Sequence, residues 1–201
     1  ALCSNTIGSN NVAFGGSSLL SNTLGQSNFA VGYQALVNNT CGNWNIAIGC
    51  QALLANTTGC FNLALGYAAL GSAAVTCYNI GIGVCAGCAI TSGAYNVILG
   101  ASTGSSIATS SCNIIISDGA GNERITASNT GSVNIPAAIV STNTIAGNAL
   151  TVQGGVGIAG GLYVTGPATF VHNVTFSGTA TYAYSTNTIY TDNVLDLHFP
   201  S

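Results

Sequence analysis

Lysine and methionine are absent from this 201-residue chain, Arg124 is its one arginine, and the charged fraction is 2%, against roughly a quarter in ordinary globular domains. Without clustered cations the chain cannot neutralise phosphates, which excludes nucleic-acid binding of the electrostatic kind. A basic membrane-surface segment is excluded for the same reason. The longest apolar stretch, from Leu63 to Leu99, is interrupted by Asn79 and several glycines and has no flanking Lys or Arg, so membrane insertion is not expected. The opening Ala1-Leu2-Cys3-Ser4-Asn5 lacks a charged region before an apolar core, so no signal peptide is expected. The absence of an initiator Met leads to the expectation of a processed chain or a segment of a longer one. What is abundant is apolar: 48% of residues are hydrophobic and 27 are glycine. There is enough to bury, which argues against disorder, yet too little charge for an independently solvated monomer.

A fixed period organises the first half. Asn recurs at Asn11, Asn28, Asn45, Asn62, Asn79, Asn96 and Asn113, each seventeen residues after the last. Gly15, Gly32, Gly49, Gly66, Gly83 and Gly100 follow four positions later, and Ser117 takes that place in the seventh copy. Leu19, Leu36, Leu53 and Leu70 follow four positions further, after which Gly87 and Gly104 replace Leu and the apolar pattern weakens. Asn22-Thr23, Asn39-Thr40 and Asn56-Thr57, followed by Gly25, Gly42 and Gly59, form a turn-like half. Ala1-Leu2, Asn5-Thr6 and Gly8 match the back half of a copy, so a further repeat is expected upstream of Ala1. A period of this kind predicts a solenoid.

Within each copy a segment such as Asn45-Ile46-Ala47-Ile48-Gly49 reads as a short strand with bulky side chains on one face and Ala on the other. Neither face is polar, so both must be covered. One can face the coil's own narrow interior, and the other is best covered by another subunit. Stacked Asn can form an amide ladder from coil to coil, and seven coils at about 4.8 Å each make a rod roughly 30 Å long.

Runs such as Asn28-Phe-Ala-Val-Gly-Tyr-Gln-Ala-Leu-Val-Asn-Asn-Thr-Cys-Gly42 resemble the Asn-x-Ala-x-Gly-Tyr-x-Ala-Leu repeats of phage and viral tail fibres. They are more distantly similar to the heads of trimeric autotransporter adhesins. Both resemblances cover about residues 1–117 and imply a homotrimeric parallel β-roll or β-solenoid.

Beyond the roll, Ile114 to Ile125 reads as two short strands around an Asp-Gly turn, with a second turn at Asn129-Thr130-Gly131 and a strand from Val133 to Ile135. The run from Ser117 to Pro136 also resembles segments that recur in phage fibres. Ser141-Thr-Asn-Thr-Ile145 recurs unchanged as Ser185-Thr-Asn-Thr-Ile189, with Gly-rich segments between. These pieces are too short to build a core within one chain. The stretch from Gly154 to Val164 and the closing Thr191 to His198 look like structural proteins of cyanobacterial phage virions, in which the chain usually continues past the equivalent of Ser201. The expected architecture is all-β: a solenoid of 17-residue coils over 1–117, a hairpin junction over 118–140, and a Gly-rich trimeric β shaft over 141–201.

Catalytic signals are thin. Gly155-Val-Gly157-Ile-Ala-Gly160 matches a dinucleotide fingerprint but lacks the following helix and the acidic residue. Cys85-Ala-Gly-Cys88 has no second pair or nearby His to complete a zinc site. The eight cysteines are best read as small core hydrophobes, with disulfides between coils or subunits as the alternative; Cys60 and Cys77 share a repeat position. Asp196 and His198 share a strand face, a weak metal pattern, and Asn38, Asn56 and Asn173 open glycosylation sequons. No catalytic, cofactor or metal site is expected. The resemblance implies a non-enzymatic virion fibre, a rigid spacer for host attachment that joins other virion proteins and presents a receptor-binding tip outside this segment. The alternatives are a cell-surface adhesin whose roll binds a host ligand and, from Thr23, Thr40 and Thr57, an ice-binding solenoid.

Overall fold

The computed structural model describes residues 1–134. Seven three- or four-residue strands stack in parallel: β1 (Val12–Phe14), β2 (Phe29–Val31), β3 (Ile46–Ile48), β4 (Leu63–Leu65), β5 (Ile80–Ile82), β6 (Val97–Leu99) and β7 (Ile114–Ser117). Each pairs with the next in chain order, and Val12, Phe29, Ile46, Leu63, Ile80, Val97 and Ile114 form one column. Up to Ser117 the chain is therefore a β-solenoid of about seventeen residues per coil. After β7 the direction reverses: β8 (Glu123–Ala127) and β9 (Val133–Asn134) pair antiparallel and lie at the end of the sheet. A single 3-10 turn, Ser105–Ile107, precedes β7. The segment 141–201, assigned from sequence to a Gly-rich shaft, lies outside the described residues, as does the junction beyond Asn134.

Strands end where the Gly column begins. Gly32, Gly49, Gly66 and Gly83 have φ between 127° and 136°, where a side chain is strained. A Cβ on Gly32 would also lie 2.6 Å from the Gly49 carbonyl oxygen of the next coil. Backbone thus touches backbone at this corner, and only glycine fits.

The small face of each strand points inward. Ala30, Ala47 and Ala64 are fully buried, and opposite them stand Leu19, Leu36, Leu53 and Leu70 with Ala35, Ala52 and Ala69. These four Leu adopt left-handed backbone, φ 47° to 51°, at a cost of roughly 1–2 kcal/mol each. Full burial contributes roughly 1.5–3 kcal/mol per side chain, so the strain is tolerated. It is also offset by hydrogen bonds one coil onward, such as Leu36 N–H to Ala52 O at 3.0 Å and Leu53 N–H to Ala69 O at 3.0 Å.

Where Gly87 and Gly104 replace Leu, the core does not weaken as the sequence pattern implies. It is rearranged. Ile98 and Ile115 stand where Ala30, Ala47 and Ala64 stand in earlier coils, Ile90 occupies an Asn position, and all three Ile are buried. A Cβ on Gly87 would lie 2.8 Å from Leu70 Cδ2 and within 3.4 Å of Ile90 and Ile98, so the volume given up at one position is filled from two others.

Gly87→Leu alone should overpack this layer and destabilise the protein by about 2 kcal/mol. Adding Ile90→Asn and Ile98→Ala should recover most of the loss, and thermal unfolding of the two variants checks the pairing.

Candidate functional site

The repeat asparagines stand in one column at the strand entrances, and all but Asn11 are buried. Each backbone N–H donates to the preceding coil's side-chain oxygen: Asn28 to Asn11 at 2.9 Å, Asn45 to Asn28, Asn62 to Asn45, Asn79 to Asn62 and Asn96 to Asn79 at 3.0 Å, and Asn113 to Asn96 at 2.9 Å. Each Nδ2 from Asn11 to Asn96 reaches a carbonyl fourteen residues on: Gly25, Gly42, Gly59, Thr76, Gly93 and Ser110, at 2.7 to 3.0 Å. One side chain therefore joins its own coil to its neighbour and closes the corner between strand and turn.

The turn-like half carries a second ladder, which the sequence displays but does not rank. Asn22, Asn39 and Asn56 each donate through Nδ2 to the Oδ1 of Asn5, Asn22 and Asn39 respectively, all at 2.8 Å. The same amides reach Gly25, Gly42 and Gly59 carbonyls at 3.0 to 3.2 Å. The ladder stops at Ala73, leaving Asn56 Oδ1 without a hydrogen-bond partner. A Cβ on Gly59 would collide with that oxygen and with the Thr76 carbonyl. The glycine Cα–H groups therefore face the amide oxygens, a weak contact that partly compensates the orphan. Burial of Asn56 in this ladder closes its sequon to glycosylation.

The bulky strand residues point outward. Val12, Phe29, Ile46, Leu63, Ile80, Val97 and Ile114 form one column, and Phe14, Val31, Ile48, Leu65, Ile82, Leu99 and Ile116 another. All fourteen are exposed or half-buried in the single chain. Beside them runs a row of stacked rings, Trp44, Phe61, Tyr78 and Tyr95.

The cysteines depart from their expected place. None fills the core: Cys3 and Cys112 are exposed, the other six are half-buried, and all eight are free thiols. Cys60 N–H donates to Cys77 Sγ at 3.1 Å, so the two share a column without a bond between sulfurs. Burial, helped by the neighbouring Cys85 thiol, pushes Cys88 up to about 11. It is a protonated, weakly nucleophilic thiol at neutral pH. Among the described residues, no group of three or more His, Cys, Asp or Glu could hold a metal ion, and no helix is long and apolar enough to cross a membrane. The glycines Gly155 to Gly160, and Asp196 with His198, lie outside the described residues.

Charge appears only after the last parallel strand. Asp118 accepts from Ala120 and Asn122 backbone N–H groups at 3.0 Å and pairs with Arg124 at 2.6 Å. Hydrogen bonds from the Asn122 side chain, then from Arg124, hold the Asp118 carboxyl well below the usual carboxylate range.

Asn45→Ala orphans the buried Asn62 N–H and leaves the Gly59 carbonyl only its longer 3.2 Å bond from Asn56; at 1–3 kcal/mol for a buried unsatisfied group, chemical denaturation should show a loss of about 2 kcal/mol. Since the folded value of Asp118 lies below its unfolded value, its contribution is present above about pH 4 and lost as pH falls further. Residues 1–117 contain no Asp, Glu, His, Lys or Arg. Hydrogen exchange followed through an acid titration should therefore show the β7–β8 turn loosening while β1–β6 stays unchanged. No family model, curated protein or solved structure matches the chain.

Proposed function

We propose that this chain is a non-enzymatic, homotrimeric segment of a virion fibre, of a tail or a capsid, acting as a rigid spacer for host attachment. The observation that carries the proposal is the outward sheet face. Parallel sheets are normally covered on both sides, and here one side is the coil's own core while the other is two unbroken columns of aliphatic and aromatic side chains. Two columns about 7 Å apart and about 29 Å tall outline roughly 200 Å² per subunit. Three such faces enclose roughly 600 Å², the apolar centre of a larger interface rather than the whole of one. Trimeric symmetry follows from the resemblance of the repeats to tail fibres and adhesin heads.

The mechanism is mechanical. Ladders of amide and backbone hydrogen bonds run along the axis, and bending the rod would break them on one side. Other virion proteins would hold its ends, and a tip outside this segment would meet the host receptor.

An ice-binding role fits less well, because the Thr23, Thr40 and Thr57 hydroxyls donate to the Thr40, Thr57 and Ala74 carbonyls of the next coil and are not free to order water. Light scattering of the purified chain should give about three times the 19.9 kDa chain mass. Ile46→Lys with Leu65→Lys should reduce it to a single chain. A wild-type mass near one chain contradicts the proposal.

A further inference from the structure

The aromatic row is an unfinished stack. Its positions, one per coil, are Asn10, Ser27, Trp44, Phe61, Tyr78, Tyr95 and Cys112, all in left-handed backbone with φ 52° to 63°. That geometry repeats the same side-chain direction at every coil. The four rings lie 5.0, 4.9 and 4.8 Å apart with interplanar angles of 10°, 3° and 6°, so the coil spacing sets the stacking distance.

Exposure separates the inner rings from the end rings. Phe61 and Tyr78 are 43% and 45% exposed, whereas Trp44 and Tyr95 are 54% and 57% exposed. Inner rings have both faces covered, and each end ring has an aromatic neighbour on one face only. The outer face of Trp44 looks toward the coil of Ser27, and beyond it toward Asn10. Two rungs of the column, about 10 Å of height, therefore carry no ring.

We infer that the open face of Trp44, above Ser27, is a stacking subsite for one neutral pyranose ring of a saccharide. The indole face is negative and takes the slightly positive C–H groups of a flat, equatorially substituted sugar. A ring at the Ser27 level continues the stack at the ladder's own spacing. Hydroxyl partners stand beside it. Gln26 has an exposed side-chain amide, and Asn43 uses its Oδ1 to accept the Gln26 N–H at 2.7 Å. Asn43 Nδ2 has only a 3.9 Å contact to Cys60 Sγ and is free to turn toward a hydroxyl. Because residues 1–117 contain no Asp, Glu, His, Lys or Arg, the site offers no counter-charge and favours an uncharged ligand. The opposite end of the ladder is poorer: Tyr95 faces Cys112, flanked by Ala94 and Ser111 rather than by side-chain amides.

Trp44 is the only tryptophan, so its fluorescence reports the subsite directly in the intact chain. Titration with cellotetraose, a β-linked glucose oligomer, should give a saturable change in emission at millimolar concentration and at least a twofold drop in acrylamide quenching. Ser27→Phe extends the ladder over the indole face and should abolish the response without lowering the melting temperature. In Trp44→Ala, saturation-transfer NMR should lose the sugar signal. A response in Ser27→Phe equal to the wild type, no saturable response at all, or a Trp44 already shielded from acrylamide in the free protein would overturn the inference. The readout is independent of molecular mass, so it fails or succeeds separately from the trimer proposal.

Discussion

The structure depends on one constraint: successive coils must be related by the same short translation along the axis. Side-chain amides enforce it. An Asn oxygen accepts the next coil's backbone N–H at 2.9 to 3.0 Å throughout the column from Asn11 to Asn113, and a coil one residue longer or shorter would break the chain of bonds on both sides. Gly32 and its equivalents add a steric limit, since coil meets coil at a corner where a Cβ would strike the neighbouring carbonyl. In a chain with 2% charged residues, these neutral contacts replace the ion pairs and solvated side chains that specify other surfaces. From Asn28 onward the Asn column is buried, so each missing partner there would leave a desolvated group.

That constraint decides what the sequence displays. Asn45 and Gly49 are legible because their roles allow almost no substitution: one supplies both donor and acceptor in a buried amide, and the other has no Cβ. Strand position, period and all-β class follow from them. The inward direction of Ala47 is not legible, because both faces of the strand are apolar and alternation carries no sign; the narrowness of a seventeen-residue coil selects the small face. The exchange of Leu70 for Gly87 reads as decay in one dimension, since the compensating Ile90 and Ile98 lie three and eleven residues away. Cys60 and Cys77 look like core fillers by residue type, yet their repeat position places them outside. The ring column was visible in spacing alone, because Trp44, Phe61, Tyr78 and Tyr95 are seventeen apart, but the change of residue type hides a shared role.

The same translation that aligns the interior also aligns the exterior. Any side chain placed outside becomes a column, so the solenoid converts single residues into continuous surfaces: two aliphatic columns, a ring ladder and a row of bonded threonines. A flat apolar strip fits association with further copies, whereas a ladder with a free end fits a small planar partner. Both properties follow from register rather than from any single reactive group. They accord with a molecule whose work is to hold shape and present surface.

The central claim is that the bulky strand face is an interior of the assembled fibre although it is an exterior of the chain. Hydroxyl-radical footprinting of the intact protein tests it directly. The account predicts that Ile46, Ile48, Leu63 and Leu65 are protected while Tyr33, Tyr67 and Trp44 are labelled. Labelling of the four aliphatic residues to the extent expected from their exposure in one isolated chain would contradict it.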